Sequence, residues 1–333
     1  MKNTMKKLLC VLLALMMVAS LAACGEKAGE VQEAAEDVPV NIMVLNGTTG
    51  FGMAGLIHDA KEGTTEQEYN ISVETDASNI MAALINESVD IAALPTNAAS
   101  VIYNKTEGAV QTLALNTEGV LYLVSNGSVK LMDFVSLIEH NIYAPAQNPS
   151  FILEYLCKAN GLVPGENIFI DNTFAQPAEL LGAVVSGQAP LAVLPEPMVT
   201  AAVSENAEIR IEMDLTEQWN MVAPEGSLVQ GCVVVRKDFA REHPQQVETF
   251  LKEYEASVAL CSEDTATAAA YIAEAGILAN QTYAETAMPY CNICFVTGEE
   301  MKTRLSAYLE LMAGVNPESI GGTLPAEDFY YIP

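Results

Sequence analysis

From Val40 onward the chain alternates short apolar runs with stretches of helical periodicity, the pattern of an α/β fold with largely parallel sheets. Val40 to Leu45 predicts a strand and Phe51 to Ala60 the helix after it. Asn70 to Thr75 and Asp90 to Leu94 are further strands, the second stopped by Pro95, while Ser78 to Glu87 and Thr96 to Asn104 are helices. Asn141 to Ala144 reads as a strand before a helix that runs from Gln147 to Asn160. Pro149 suits the first turn of that helix, where its missing N–H has no partner to lose, and Gly161 suits the stop. Ile168 to Phe174, Leu191 to Leu194 and Ile209 to Met213 are strands, with a helix over Pro177 to Ser186. Gln230 to Arg236 is a strong strand, and from Asp238 the pattern is helical almost to Ala313, broken near Pro289 to Gly298.

A second regularity lies over the first. Residues 82–101 (AALINESVDIAALPTNAASV) align without gaps on residues 182–201 (GAVVSGQAPLAVLPEPMVTA), and both read as a helix end, a polar turn, a strand closed by Leu-Pro and a new helix. Leu94-Pro95 falls on Leu194-Pro195, 100 residues later. The identities are few for an Ala-rich chain; their coincidence with the same element boundaries carries the weight. A period of this size predicts two similar lobes rather than a solenoid of short repeats. One lobe is expected over 39–120 together with 228–333, because 40–115 alone is short for a complete lobe, and the other over 121–227. The chain would cross between them near 117–127 and 223–230.

The N-terminus stands outside this pattern. Lys2, Lys6 and Lys7 precede an apolar run from Leu8 to Ala19 that is short for a membrane span, and Leu21-Ala22-Ala23-Cys24 follows. That order resembles the lipobox of bacterial lipoproteins, which makes residues 1–23 a cleaved signal peptide and Cys24 the expected lipidation site. Residues 24–38 form an acidic Ala/Glu/Gly-rich tether with no core-forming pattern. Loss of the three leader lysines takes the formal charge from −28 to −31. Such a surface repels nucleic acid and anionic head groups, and no basic cluster offsets it. No second segment reaches the length of a membrane span.

Five cysteines would remain after processing and lipidation: Cys157, Cys232, Cys261, Cys291 and Cys294. An odd number argues against a disulfide framework. Cys291 and Cys294 have the C-x-x-C spacing of a redox pair or half a metal site, but no second such pair or His pair accompanies them. Buried thiols are the default, and neither a metal nor a cofactor is expected.

The stretch NGTTGFGMAGL, residues 46–56, joins the first predicted strand to its helix. A nucleotide phosphate loop would end in Gly-Lys-Ser/Thr, and Gly52-Met53-Ala54 lacks that lysine. The dinucleotide fingerprint fails as well, because Gly47, Gly50 and Gly52 are spaced three and two apart rather than two and three. What is left is a loop with exposed backbone N–H groups, two hydroxyls and Phe51. It lies at the carboxyl end of a strand, where open α/β sheets bind ligands.

Together the lipobox, the strand running into Asn46 to Met53, VDIAALPTNAASVIYNKTEG (89–108), LNTEGVLYLV (115–124), NPSFILEYLCKANGLVPGENIFI (148–170) and LPEPMVTAA (194–202) resemble one family. It is that of the extracytoplasmic substrate-binding proteins of ABC transporters, in the nitrate, sulfonate, taurine and thiamine-pyrimidine group. The resemblance covers most of residues 40–270, as an ensemble rather than in any single piece. It implies a type II periplasmic-binding-protein fold: two α/β lobes, two crossing segments and a ligand cleft. It further implies a lipid-anchored monomer on the extracytoplasmic face of the cell membrane that passes a small molecule to an ABC permease. Ligand binding would bias an open-closed equilibrium, and no catalysis is implied.

By the strand-end rule, the cleft gathers Gly47, Thr48, Thr49, Phe51 and Met53, then Pro95, Thr96 and Asn97 from the first lobe. Asn116 and Thr117 come from the crossing region. Gln147, Asn148, Ser150, Gln176 and Glu196 come from the second lobe. Thr96, Asn97 and Ser150 are equally candidates for helix caps, and Glu196 for a solvated helix start. None of the four arginines (Arg210, Arg236, Arg241, Arg304) lies in these loops, and no lysine does. Sulfonates and carboxylates are usually gripped by guanidinium forks, so a neutral, polar, pyrimidine-like solute is favoured over sulfonate or nitrate. It would stack on Phe51 or a tyrosine, with Glu196 available to an amino group. An enzyme of the thiamine-pyrimidine branch is the alternative, against which His58, His140 and His243 all fall outside the cleft loops. A sensor signalling to a membrane receptor is the third reading, inseparable from import at this level.

Overall fold

The computed structural model describes residues 38–332 except 128 and 130. The leader, the lipidation candidate Cys24 and the tether up to residue 37 lie outside the described residues. Among those described, no helix is long and apolar enough to cross a membrane.

In chain order the strands are β1 (Val40–Leu45), β2 (Tyr69–Glu74), β3 (Ile91–Pro95), β4 (Val110–Glu118), β5 (Leu121–Ser125), β6 (Asn141–Tyr143), β7 (Phe169–Asp171), β8 (Leu191–Pro195), β9 (Arg210–Asp214), β10 (Val229–Arg236) and β11 (Ile293–Val296). The helices between them are α1 (Thr48–Phe51), α2 (Ala54–Glu62), α3 (Ala77–Ile85), α4 (Thr96–Lys105), α5 (Asn148–Ala159), α6 (Pro177–Val185), α7 (Met198–Glu205) and α8 (Leu215–Asn220). After β10 come α9 (Lys237–Glu242), α10 (Pro244–Glu263), α11 (Thr265–Glu274), α12 (Gln281–Ala287) and, beyond β11, α13 (Gly298–Val315).

One sheet runs β11-β4-β10-β3-β1-β2 and the other β7-β6-β8-β5-β9. In each, the strand that ends in Leu-Pro lies between a parallel neighbour (β1 or β6) and an antiparallel one (β10 or β5). The second sheet therefore repeats the first strand for strand, except for the extra edge strand β11. The repeat foreseen at residues 82–101 and 182–201 is the visible part of this duplication: α3, β3 and α4 stand 100 residues ahead of α6, β8 and, within two residues, α7. The fold is mixed α/β, as the alternation of apolar runs and helical periods dictates.

Local chemistry sets the boundaries. Asp76 opens α3 by accepting a hydrogen bond from the Ser78 N–H, and Pro149 occupies the first turn of α5. Gly161 then turns out of line with α5 at φ 77°. Three elements depart from the sequence pattern. Residues 48–51 are already helical, so the Gly/Thr loop is reduced to Asn46 and Gly47, and Gly47 at φ 80°, ψ −160° is a conformation that side chains resist. Residues 110–125, expected only to contain a crossing, form β4 and β5. Buried on both faces, they show no clean alternation. Residues 293–296, inside the expected break of the late helices, form β11.

Only Gly119 and Val120 separate β4 from β5, and the chain returns between Asp214 and Val229. One apolar cluster bridges both sheets, joining Leu94, Leu115 and Cys232 to Leu121, Leu191 and Val193 by way of Trp219, Val229 and Tyr308. Two further clusters belong to the first sheet and its helices, and a fourth to the second sheet with α6 and α7.

Candidate functional site

The ends of the two sheets lie against each other at the crossing. Pro95 of β3 faces Gly231 of β10, which also faces Thr117 of β4, while Pro195 of β8 faces Leu121 of β5. Seven of the nineteen buried polar residues among those described belong to this junction: Thr48, Thr49, Thr96, Asn116, Thr117, Asn148 and Glu196. Buried polar groups cost free energy unless they are hydrogen-bonded, so their concentration in one place calls for a reason.

They form three knots. In the first, Asn116 Nδ2 donates to the Thr49 carbonyl at 3.1 Å, and the Thr117 hydroxyl donates to the Thr48 carbonyl at 3.4 Å and to Asn116 Oδ1 at 3.1 Å. Gly231 makes room for this: a Cβ there would stand 2.3 Å from Asn116 Oδ1. The Thr48 and Thr49 side chains make no hydrogen bond of their own, although the residues are only 8% and 9% exposed.

In the second knot the Tyr308 hydroxyl of α13 donates to Asn148 Oδ1 at the start of α5, with Thr96 beside it at the start of α4. Burial pushes the Tyr308 phenol well above its ordinary range. The Thr96 hydroxyl itself donates to the Val229 carbonyl at 2.7 Å. Trp219 closes this side, its ring 5.9 Å from Tyr308 and 4.7 Å from Tyr155, and its indole N–H donates to Ser227 Oγ at 2.8 Å.

Glu196 centres the third. Its backbone N–H donates to Val120 O at 2.9 Å, and its carboxylate accepts from the Thr200 N–H at 3.0 Å and the Thr200 hydroxyl at 3.1 Å. Burial pushes the Glu196 carboxyl up, against the opposing pull of the two Thr200 bonds. Tyr122 lies within the electrostatic reach of Glu196 and Asp214, and its hydroxyl donates to the Tyr290 carbonyl at 3.1 Å. Residues 290–293 fasten the late chain to the crossing: Asn292 donates through Nδ2 to Gly119 O at 2.5 Å and accepts at its carbonyl from Glu118 N–H at 3.0 Å. Asn292 adopts φ 45°, a left-handed geometry that Asn tolerates better than most residues.

The remaining candidates are placed differently. Phe51 is fully buried among Ala54, Cys261, Ala269 and Cys291, and Met53 among Leu56, Phe250 and Tyr254, so neither offers a face for stacking; both serve the apolar cores. Asn97 donates to Ser319 O at 3.4 Å, tying α4 to the C-terminal turn. The Ser150 hydroxyl donates to Pro145 O at 2.8 Å and lines a pocket of about 310 Å³ with Phe151, Phe169 and Asn172, beside edge strand β7. Gln176 is exposed at the start of α6, where its backbone N–H meets Glu179. Gln147 is exposed before α5 at φ 66°, and Gly47 and Pro95 are turn positions.

Charge is largely spent within the fold. Arg304, from a late helix, comes closer to the crossing than its sequence position implies, and it meets Glu118 at 2.5 Å and Glu300. Arg236 pairs with Asp90 and Asp238, and Arg241 with Glu242. Arg210 opens β9, paired in register with Ser125. His58 stacks on Tyr271 at 3.7 Å, His140 lies against Ile138 O and His243 against Phe239, so none of the three joins the knots. All five described cysteines are free, and burial pushes the Cys294 thiol up to about 12 and Cys291 well above its ordinary value. Among the described residues no group of three or more His, Cys, Asp or Glu is placed to hold a metal ion.

Tyr308, Tyr122 and Asn292 were invisible as site residues. Tyr308 shares a helical stripe with Met301, Leu305 and Met312, which in sequence reads only as core.

No family model matches the sequence, and no curated protein matches it significantly. Solved structures do match. An ABC transporter protein from Parabacteroides distasonis is 23% identical, with 89% of this chain and 99% of that chain covered and a TM-score of 0.75. The periplasmic aliphatic sulphonate binding protein SsuA from Escherichia coli is 12% identical, with 89% and 92% covered and a TM-score of 0.70. A Candida albicans gene product described as having the generic periplasmic binding protein fold is 11% identical, with 88% and 93% covered and a TM-score of 0.56. The shared property at these identities is the fold, and it is the periplasmic-binding-protein fold that the sequence motifs resemble.

Proposed function

We propose that this chain is an extracytoplasmic solute-binding protein, lipid-anchored through Cys24, that acts as a monomer and delivers a small polar solute to an ABC importer. The observation that carries the reading is the gathering of buried polar side chains where two equivalent sheets meet, on a fold shared with proteins of ABC transport systems. The two lobes are residues 39–120 with 228–333, and 121–227. The solute would lie among Thr48, Thr49, Asn116, Thr117, Thr96, Asn148 and Glu196, touching both lobes so that it favours the closed arrangement. Three of the four arginines pair with carboxylates and Arg210 stands at the start of β9, which supports a pyrimidine-like or other non-anionic solute over sulfonate or nitrate. Binding is favoured over an enzymatic role by the three histidines, which all stand away from the knots.

The test is a melting-temperature screen of the full-length chain against pyrimidines, sulfonates, nitrate and amino acids. A ligand that binds only the folded state must raise the melting temperature. Trp219 is the single tryptophan and stands at the crossing, so the same ligand should change its fluorescence. A sulfonate that stabilises while pyrimidines do not would reverse the ligand class. A flat response across the panel would remove the binding role. Cys24→Ser should move the protein from the membrane to the soluble fraction.

A further inference from the structure

We propose that the solute carries an amino or ammonium nitrogen that docks on the Glu196 carboxylate, while the Thr48 and Thr49 hydroxyls meet a polar group at its other end. The inference rests on the binding-protein reading and specifies the chemistry that the site selects.

Position 196 is the counterpart, 100 residues on, of position 96, and the two are treated differently. Thr96 is neutral, fully buried and occupied by the Val229 carbonyl. Glu196 is only 3% exposed and ionisable. A helix start needs no buried charge, as Asp76 shows at α3 and Asp264 at α11, where each accepts a backbone N–H while standing exposed. Glu196 serves the Thr200 N–H in the same way from a site that excludes water, where a carboxylate without a counter-ion is costly. Among the described residues no Lys, Arg or His pairs with it. An amine supplies the missing charge and N–H donors together. A second feature points to a ligand independently: the Thr48 and Thr49 hydroxyls have no protein partner and stay open to solvent, although the two residues are only 8% and 9% exposed.

The experiment compares shape-matched pairs on the full-length chain: benzylamine with benzyl alcohol, 4-aminopyrimidine with 4-hydroxypyrimidine, and putrescine with 1,4-butanediol. In at least one pair the amine should bind about 10- to 100-fold more tightly than its oxygen counterpart, the range of a charge-assisted hydrogen bond. Glu196→Gln should erase that advantage. Thr48→Ala should weaken both members equally. Equal affinities within every pair, or an amine preference that survives in E196Q, would overturn the proposal while leaving the binding role intact. Silence from these compounds and from the broader solute panel would sink the binding role itself. If E196Q does not fold, the wild-type pH profile decides. The groups facing Glu196 are Tyr122, Cys291 and Thr200. Benzylamine affinity should fall in acid as Glu196 takes up a proton, with benzyl alcohol flat, and a flat benzylamine profile refutes the assignment.

Discussion

Residues 77–105 and 177–205 follow one plan of helix, strand and helix, yet they arrive at the junction with different equipment. β3 and β8 have equivalent neighbours, and Leu94 and Leu194 are both fully buried. The helices that follow diverge. α4 starts directly after Pro95 and is fastened by the C-terminal turn, where Ser100 donates to Ile320 O at 2.7 Å and Asn104 to the same carbonyl at 2.9 Å. α7 starts after the cis Glu196–Pro197 bond, takes its cap from Glu196 and is touched from the other half by α12. The difference teaches that strand order is held by apolar side chains, which a duplicated segment retains while its polar positions change. The chemistry sits in the few residues after each strand, where it is free to differ.

Equivalence of the two halves predicts that Leu94→Ala and Leu194→Ala lose similar stability, about 2 to 5 kcal/mol each by urea unfolding. A loss in one less than half that in the other would show that the halves are supported unequally, for instance because Leu94 belongs to the bridging cluster and Leu194 to a local one. Thr96→Val should cost about 1 to 3 kcal/mol, since it leaves the buried Val229 carbonyl without its donor.

At the equivalent position the sign should reverse. Burial raises the Glu196 carboxyl pKa in the folded state above its unfolded value, so its contribution to stability is full below the unfolded value and is lost as pH rises through the folded one. Its ionisation therefore opposes folding at neutral pH. Glu196→Gln should melt higher than wild type near pH 7, and the gap should narrow as the buffer is made acidic, with Tyr122, Cys291 and Thr200 as the groups that face it. A variant that melts lower at neutral pH would mean that the Thr200 bonds outweigh the buried charge. The smallest effect is expected from Thr48→Ala, within about 0.5 kcal/mol, because its carbonyl still accepts from Thr117 and its hydroxyl has no partner to lose.

Much of the fold was legible. The repeat at 82–101 and 182–201 marked the helix-strand-helix plan that recurs in the two sheets, and strand-end reasoning picked out Thr48, Thr49, Thr96, Asn116, Thr117, Asn148 and Glu196, all of which the structure buries. It misread Phe51 and Met53, because a short helix at 48–51 turns both into the cores beside it, and helical phase in so brief an element is not written in the residues.

The residues alone, then, determine the duplicated α/β plan, the acidic surface and the chemistry waiting at the strand ends, since each follows from local periodicity or composition. Which polar groups are spent and which are spare was decided by the tertiary structure. Tyr308 reaches Asn148 across 160 residues of chain, Asn292 reaches Gly119 across 173, and no protein group reaches the hydroxyls of Thr48 and Thr49. Hydrogen-bond satisfaction is a property of neighbours in space, and only packing brings such distant residues within reach of one another.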